Sequence, residues 1–319
     1  MEEMFLFDAF KSGEIGTGQY VGKFEQSWAD YNGQKFGVAC NSGTNALFLA
    51  LKALGIGEGD EVIVPEFTMT ATAWAVSYTG ATPVFIDCDD TLNIDPNLIE
   101  EAISNKTKAI IPVHIYGRKC DMNAINNIAQ SYDLFVIEDM AEAHGIKPSG
   151  DIACYSFYGN KILTTGEGGM CLTNNKNWAE EMRLLANMYF DKDRSMVHPK
   201  IGYNFRMTNL QAAIGYAQVM RIDEILDKRK QIEKWFDKHI PSKCKRPKRD
   251  VLWMYDFNCD QSVKTDDMRY FFKPMSRQPD YLMPYEHLKA HKYSEKGLYF
   301  IVWTDMTEDD VINLCQQLK

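Results

Sequence analysis

Apolar positions along this chain fall into two alternating rhythms. Residues 45–54 (NALFLALKAL) are apolar at helical spacing, and Gly55 and Gly57 close the segment, which predicts a helix. Short runs rich in Val, Ile and Phe follow: EVIVP at 61–65, TPVFIDCD at 82–89, KAIIPVHIYG at 108–117, LFVIEDMA at 134–141, IACYSFYG at 152–159 and GGMCLT at 168–173. Between them lie helix-compatible stretches, one through Val76, a polar one near 96–104 and one near 121–131. This alternation predicts an α/β fold with a mostly parallel sheet covered on both faces. After residue 175 the pattern turns helical, with long helices expected over 177–187 and 208–238. A segment rich in aromatics and prolines ends the chain. The expected division is a large α/β domain over 1–225 and a small C-terminal domain over 226–319.

Composition narrows the function classes. The chain has 319 residues, 35 Lys plus Arg against 44 Asp plus Glu, and a net charge of −9. An acidic balance argues against a nucleic-acid partner, because neutralising phosphates needs clustered Lys and Arg. The one basic run, KCKRPKR at 243–249, reads as a solvated loop. No apolar stretch approaches the roughly 18–20 residues of a transmembrane helix, and the first residues, MEEMFLFDAFKSGE, lack the pattern of a signal peptide. Eight cysteines occur with no CxxC pair, several of them inside apolar runs. A reduced, cytoplasmic setting without structural zinc is expected.

Three local patterns carry candidate chemistry. Asn41-Ser42-Gly43-Thr44 stands directly before the helix at 45–54, where a helix N-terminus either receives an anion or is simply capped by Ser42 or Thr44. LFVIEDMA ends in Asp139, at the place where parallel sheets bind ligands; its carboxylate suits a protonated heterocyclic nitrogen, or equally a helix cap. Asp139, Glu142 and His144 have the residue types for a metal but no recognised spacing. Lys161 lies 22 positions beyond Asp139, after an apolar strand and before the glycine-rich turn TTGEGGM, with the Ser156 hydroxyl upstream. An amine held among apolar groups can lose its proton and attack a carbonyl, whereas a lone lysine after a strand ordinarily snorkels to the surface. Taken in order, an anion loop, a strand-borne Asp and a lysine before a glycine turn match what pyridoxal phosphate needs.

At these residues the chain resembles the DegT/DnrJ/EryC1/StrS family of pyridoxal-phosphate sugar aminotransferases. The shared blocks include SGEIGTGQYVGKFE (12–25), NSGTNAL (41–47), GDEVIVPEFTMTATA (59–73), IEDMAEAHG (137–145), YSFYGNKILTTGEGGM (155–170) and GYNFRMTNLQAAIG (202–215). They run from about Gly13 to Gln218. The resemblance implies the type I, aspartate-aminotransferase-like fold, with pyridoxamine phosphate as the alternate cofactor form. It implies that Lys161 bonds the cofactor, that Asp139 faces its pyridine nitrogen and that Glu142 contacts its phenolic oxygen. Gly43, Thr44 and Ser156 would cradle the phosphate, and Met69 and Ala141 would flank the ring. Asn204 would reach the cofactor of a partner subunit in a homodimer, and Arg269 matches a recurrent arginine suited to a carboxylate or phosphate. GNKILTTGEGGM, AEAHG and YNFRMTNLQAA are most similar to the branch that transfers nitrogen from L-glutamate to C4 of GDP-4-keto-6-deoxymannose. UDP- or dTDP-linked 4-keto or 3-keto sugars are the alternative substrates, and a non-catalytic regulatory homologue the alternative class. Departures from the family pattern are a late start, a compressed 240–268 region, and Ser276 where relatives often carry His.

Overall fold

The computed structural model describes residues 1–190, 196–283 and 288–318. Two helices that the apolar pattern does not announce open the chain, α1 (Glu2–Lys11) and α2 (Gln19–Asn32). The α/β part follows as β1 (Phe36–Cys40), α3 (Gly43–Ala53), β2 (Glu61–Pro65), α4 (Thr70–Tyr78), β3 (Thr82–Ile86), β4 (Thr107–Ile110), α5 (Met122–Ser131), β5 (Phe135–Asp139), β6 (Ile152–Ser156) and β7 (Gly169–Thr173). These strands form one sheet in the order β1-β7-β6-β5-β4-β2-β3, in which only β7 runs antiparallel to its neighbours.

Strand periodicity explains why both faces are covered. Val38 and Cys40 of β1, with Ile152 and Cys154 of β6, pack with Leu47, Leu49 and Leu51 of α3. The alternate positions Ala39, Ala153 and Tyr155 pack on the other face with Phe24 and Trp28 of α2. Three of the cysteines, Cys40, Cys154 and Cys171, are buried in these strands as free thiols.

Beyond the sheet come α6 (Lys176–Ala186), α7 (Asn209–Val219) and α8 (Ile222–His239). The single helix expected over 208–238 is therefore two, interrupted at Met220 and Arg221 with no glycine or proline to signal it. A Thr208–Gln211 capping box starts α7. Ile222 and Ile225 of α8 join the large core, while its Ile232 and Phe236 join a second one. That second core lies on an antiparallel sheet, β8 (Tyr255–Asn258), β9 (Met268–Tyr270) and β10 (Gly297–Phe300), in the order β8-β10-β9. Two further helices, α9 (Lys289–Lys296) and α10 (Glu308–Gln316), complete this part. The polar helix expected near 96–104 resolves into two 3-10 turns, Pro96–Leu98 and Glu100–Ala102. Neither turn has a buried residue of its own, and the segment is anchored by Ile99 between them.

The basic run at 243–249 is not a solvated loop throughout. Arg249 reaches the buried Asp256 of β8 at 2.6 Å, and Arg118 from the loop after β4 reaches the same carboxylate at 2.9 Å. Burial alone would raise the Asp256 pKa, yet the Arg118 and Arg249 guanidinium groups hold it at about 2. A spacing rule reads such a run by its charge and has no means of seeing that buried partner.

Candidate active site

In a parallel sheet the carboxyl ends of the strands share one edge. Because β7 is antiparallel, its amino end lies at that edge too, with Gly169 opposite both Cys40 and Ser156. A cavity of about 430 Å³ opens there. It gathers Gly43, Thr44, Met69, Asp139, Ala141, Glu142, Ser156 and Lys161, residues that span 119 positions of sequence. Asn204 and Arg269 lie outside it. Asn204 is exposed and forms a β-bridge with Asn187. Arg269 sits on β9 opposite Tyr299, which does line the cavity, and its Nη1 donates to the Asp266 and Met268 carbonyls. Met69 is half exposed and precedes α4.

The start of α3 is both capped and open. Ser42 Oγ accepts the Asn45 N–H at 3.2 Å, which is the plain capping role, while the N–H groups of Gly43 and Thr44 have no partner within the helix. A Cβ on Gly43 would sit 2.7 Å from Ser156 Cβ, and one on Gly169 would collide with the Ser42 carbonyl oxygen. Only backbone and a small hydroxyl fit between the helix terminus and the end of β6. The result is a cradle of N–H groups and an O–H at the positive end of a helix dipole, suited to a phosphate.

Asp139 is the last residue of β5 and is buried. Its Oδ1 accepts the Ala141 N–H at 3.1 Å and its Oδ2 accepts the Thr72 hydroxyl at 2.9 Å. Burial raises its pKa despite these bonds and the nearby Lys161 charge, so the carboxylate gains from a cationic partner in the cavity. Thr72 was not singled out by the sequence; the signal for it lay in the FTMTATA block, where α4 returns a hydroxyl to the strand edge.

Glu142 is also buried, with Oε2 accepting the Tyr116 N–H at 2.7 Å. Burial pushes it up to about 7, against the pull of Lys161. Lys161 stands in the turn after β6, its N–H donating to the Tyr158 carbonyl at 2.9 Å. Burial lowers its pKa, while Glu142 and Asp139 work in the opposite sense. An amine and a carboxyl displaced toward each other in this way exchange a proton more readily than free ones do. His144 is not drawn into a metal set. Its Nδ1 accepts the Leu163 N–H at 3.1 Å, and burial holds it neutral with a pKa of about 3. Among the described residues no three His, Cys, Asp or Glu side chains are arranged to hold a metal ion.

One wall of the cavity has no counterpart in the local sequence pattern. Trp253, Phe272 and Tyr299 come from the C-terminal part of the chain, and their only sequence signal was its aromatic content. Ser276 lies away from the cavity, buried and donating to Glu66, with its hydroxyl 2.8 Å from His291 Nε2. An imidazole is therefore present beside position 276, supplied by α9. Among the described residues no helix is long and apolar enough to cross a membrane.

The donor set fits pyridoxal phosphate: a cradle for a dianion, a desolvated carboxylate for a pyridinium, and a desolvated amine for an aldehyde. Comparison with known proteins points the same way. The chain is 42% identical to the GDP-perosamine synthase of Caulobacter vibrioides, over 92% of this chain and 88% of that protein. It is 38% identical to the GDP-perosamine synthase of Escherichia coli O157:H7, over 95% and 90%. Its fold superposes on S. venezuelae DesV, solved in complex with a ketimine intermediate, with a TM-score of 0.92 at 28% identity, covering 99% of this chain and 92% of that one. The family model for DegT/DnrJ/EryC1/StrS aminotransferases matches residues 3–319, so the likeness runs well past Gln218 and through the second sheet. This chain belongs to the DegT/DnrJ/EryC1/StrS aminotransferase family.

Proposed function

We propose that the protein uses pyridoxal phosphate to move an amino group from L-glutamate to C4 of a nucleotide-linked 4-keto-6-deoxy sugar, GDP-4-keto-6-deoxymannose, yielding GDP-perosamine. The observation that carries the chemistry is the convergence of Gly43, Asp139 and Lys161 on one cavity at the sheet edge. The likeness to two GDP-perosamine synthases over more than nine-tenths of the chain supports the sugar.

When bound, the cofactor supplies an aldehyde that accepts amino groups and a ring that takes up the electrons of an adjoining carbanion. The chain supplies the rest. The N–H groups of Gly43 and Thr44 and the Ser156 hydroxyl hold the phosphate. Asp139 would keep a proton on the pyridine nitrogen, Glu142 would contact the phenolic oxygen, and Met69 and Ala141 would flank the ring. Lys161 Nζ would hold the cofactor through its aldehyde, and as a free amine would take the proton from Cα of glutamate and later deliver one to C4 of the sugar. Its burial disfavours the ammonium form and so eases the loss of the proton that this work requires. Asn204, exposed and outside its own cavity, is assigned to the site of a partner subunit in a cytoplasmic homodimer. Arg269 would meet an anionic part of a substrate entering beside Tyr299. The working division remains a cofactor domain over 1–225 and a small domain over 226–319.

Three measurements test this reading. A panel of GDP-, UDP- and dTDP-linked 4-keto and 3-keto sugars with glutamate should give amination at C4 of the GDP sugar, identified by product mass and by which carbon bears nitrogen. A UDP or dTDP product, or nitrogen at C3, would replace the sugar assignment. Gly43→Val should weaken cofactor binding at least about tenfold by filling the cradle, measured by titrating cofactor-free protein. Unchanged affinity would place the phosphate elsewhere. Glu142→Gln should alter the pH dependence of stability in the cofactor-free protein. A carboxyl raised to about 7 contributes stability that is fully present below its unfolded value and is lost as pH rises through 7. The Gln variant should therefore show a flatter melting temperature between about pH 4.5 and 7; an equal slope in both proteins refutes the assignment.

A further inference from the structure

Trp253 comes from the segment before β8, far in sequence from Lys161, yet its ring meets the lysine. Lys161 Nζ lies 3.9 Å from the ring centroid, and the indole Nε1–H donates to the carbonyl of the preceding residue, Asn160, at 2.9 Å. A bond at residue 160 fixes the plane of the ring beside residue 161. Behind the indole the chain is tied to the loop after β4. The Asp250 and Val251 N–H groups both donate to the Gly117 carbonyl at 3.0 Å, and the Lys119 N–H donates to Asp250 Oδ2 at 2.8 Å. Arg118 donates twice to the Pro247 carbonyl, at 3.0 and 2.9 Å. The buried Tyr116 ring stacks near Trp253 at 5.9 Å and 17°. Bonds on both flanks thus set the orientation of one aromatic face against one amine.

We propose that Trp253 is a positioning residue for Lys161, holding the amine in the cavity by cation–π attraction. This rests on Lys161 being the proton-moving amine of the aminotransferase reading. The negative face of an indole attracts an ammonium, more strongly where water is excluded. Other charged and titratable groups around the amine are Asp139 and Glu142, which favour its protonated form, and Tyr158, Glu167 and Tyr299, which share the cavity wall. His144 lies behind, neutral. None of them presents the ring face that Trp253 does at Nζ, so removing that face should release the proton at lower pH.

The test reads the amine directly in cofactor-free protein. Trace acetylation with acetic anhydride across a pH series, followed by mass spectrometry of the Lys161 peptide, gives the midpoint of its ionisation. Trp253→Phe keeps a weaker ring face, Trp253→Leu removes it, and uniform replacement of tryptophan by tetrafluorotryptophan keeps the shape but weakens the π face. The midpoint should fall in the order Trp, Phe, Leu, by about one pH unit in all, and should fall in the fluorinated protein as well. Rescue of the Leu midpoint by Phe marks an electrostatic role that packing alone does not give. An unchanged midpoint in the fluorinated protein overturns the proposal even where the Leu variant fails to fold. The amine is read without substrate, so an unchanged midpoint leaves the aminotransferase reading intact, and failure of the sugar panel leaves this result intact.

Discussion

Replacing Lys161 with alanine is expected to reduce turnover by at least about 10⁴-fold and to remove the yellow absorbance of lysine-bound cofactor while the protein stays folded. The magnitude follows from what the side chain does. It is the cavity amine whose burial favours the free base, and its removal takes away both the covalent anchor and the proton carrier. Cofactor should still bind through the Gly43 cradle and Asp139, so added pyridoxal phosphate should be retained without the lysine-bound spectrum. The measurement is steady-state turnover with glutamate and the keto sugar, paired with an absorbance spectrum of the dialysed variant. Full activity in the alanine variant would end the assignment of Lys161.

The second large effect concerns Asp139, and it has two signs. Asp139→Asn should lower kcat by about 10³-fold, because a neutral amide no longer holds the proton on the pyridine nitrogen. The same change should stabilise the cofactor-free protein at neutral pH. Burial raises the Asp139 pKa, so the folded state binds a proton more readily than the unfolded one. Its contribution is fully present below the unfolded value and is lost as pH rises through the folded value. The buried carboxylate is then a net cost wherever it ionises, and the amide removes that cost while its oxygen accepts the Ala141 N–H and its NH2 donates to the Thr72 hydroxyl oxygen. A raised melting temperature without cofactor, together with lost turnover, is the expected pair of results. A variant that is both slower and less stable without cofactor would show that Asp139 serves the fold and not the ring nitrogen.

The two halves of the site differed in how legible they were. The anion loop, the strand-borne Asp and the lysine before a glycine turn are local patterns, each fixed by the strand or helix it terminates. Alternating Val, Ile and Phe runs placed those termini, because strand ends must follow the apolar stretches that the sheet buries. The N-cap and anion readings of Ser42 to Thr44 stood as alternatives on sequence alone; the structure shows the cap, and the two readings are compatible. Ser42 spends its hydroxyl on Asn45, leaving the next two N–H groups for a ligand. The aromatic wall was illegible for a different reason. Trp253, Phe272 and Tyr299 have no shared period, and their meeting depends on how the second sheet packs against the first.

Charge followed the same division. The acidic composition, −9 overall, argued against a nucleic-acid partner, and the N–H groups and hydroxyl at the α3 terminus are what the cavity would offer an anion. The run KCKRPKR looked like an exposed exception, whereas Arg249 is committed to Asp256 alongside Arg118. Sequence alone determined the succession of strands β2 to β7 and the candidate cofactor residues near their ends, because these depend on neighbours within a few positions. Only the tertiary structure decided which residues face one another across the cavity: Thr72 on Asp139, Tyr116 on Glu142, Trp253 on Lys161. Those contacts join parts of the chain 26 to 92 residues apart, and no local spacing encodes a meeting that long-range burial brings about.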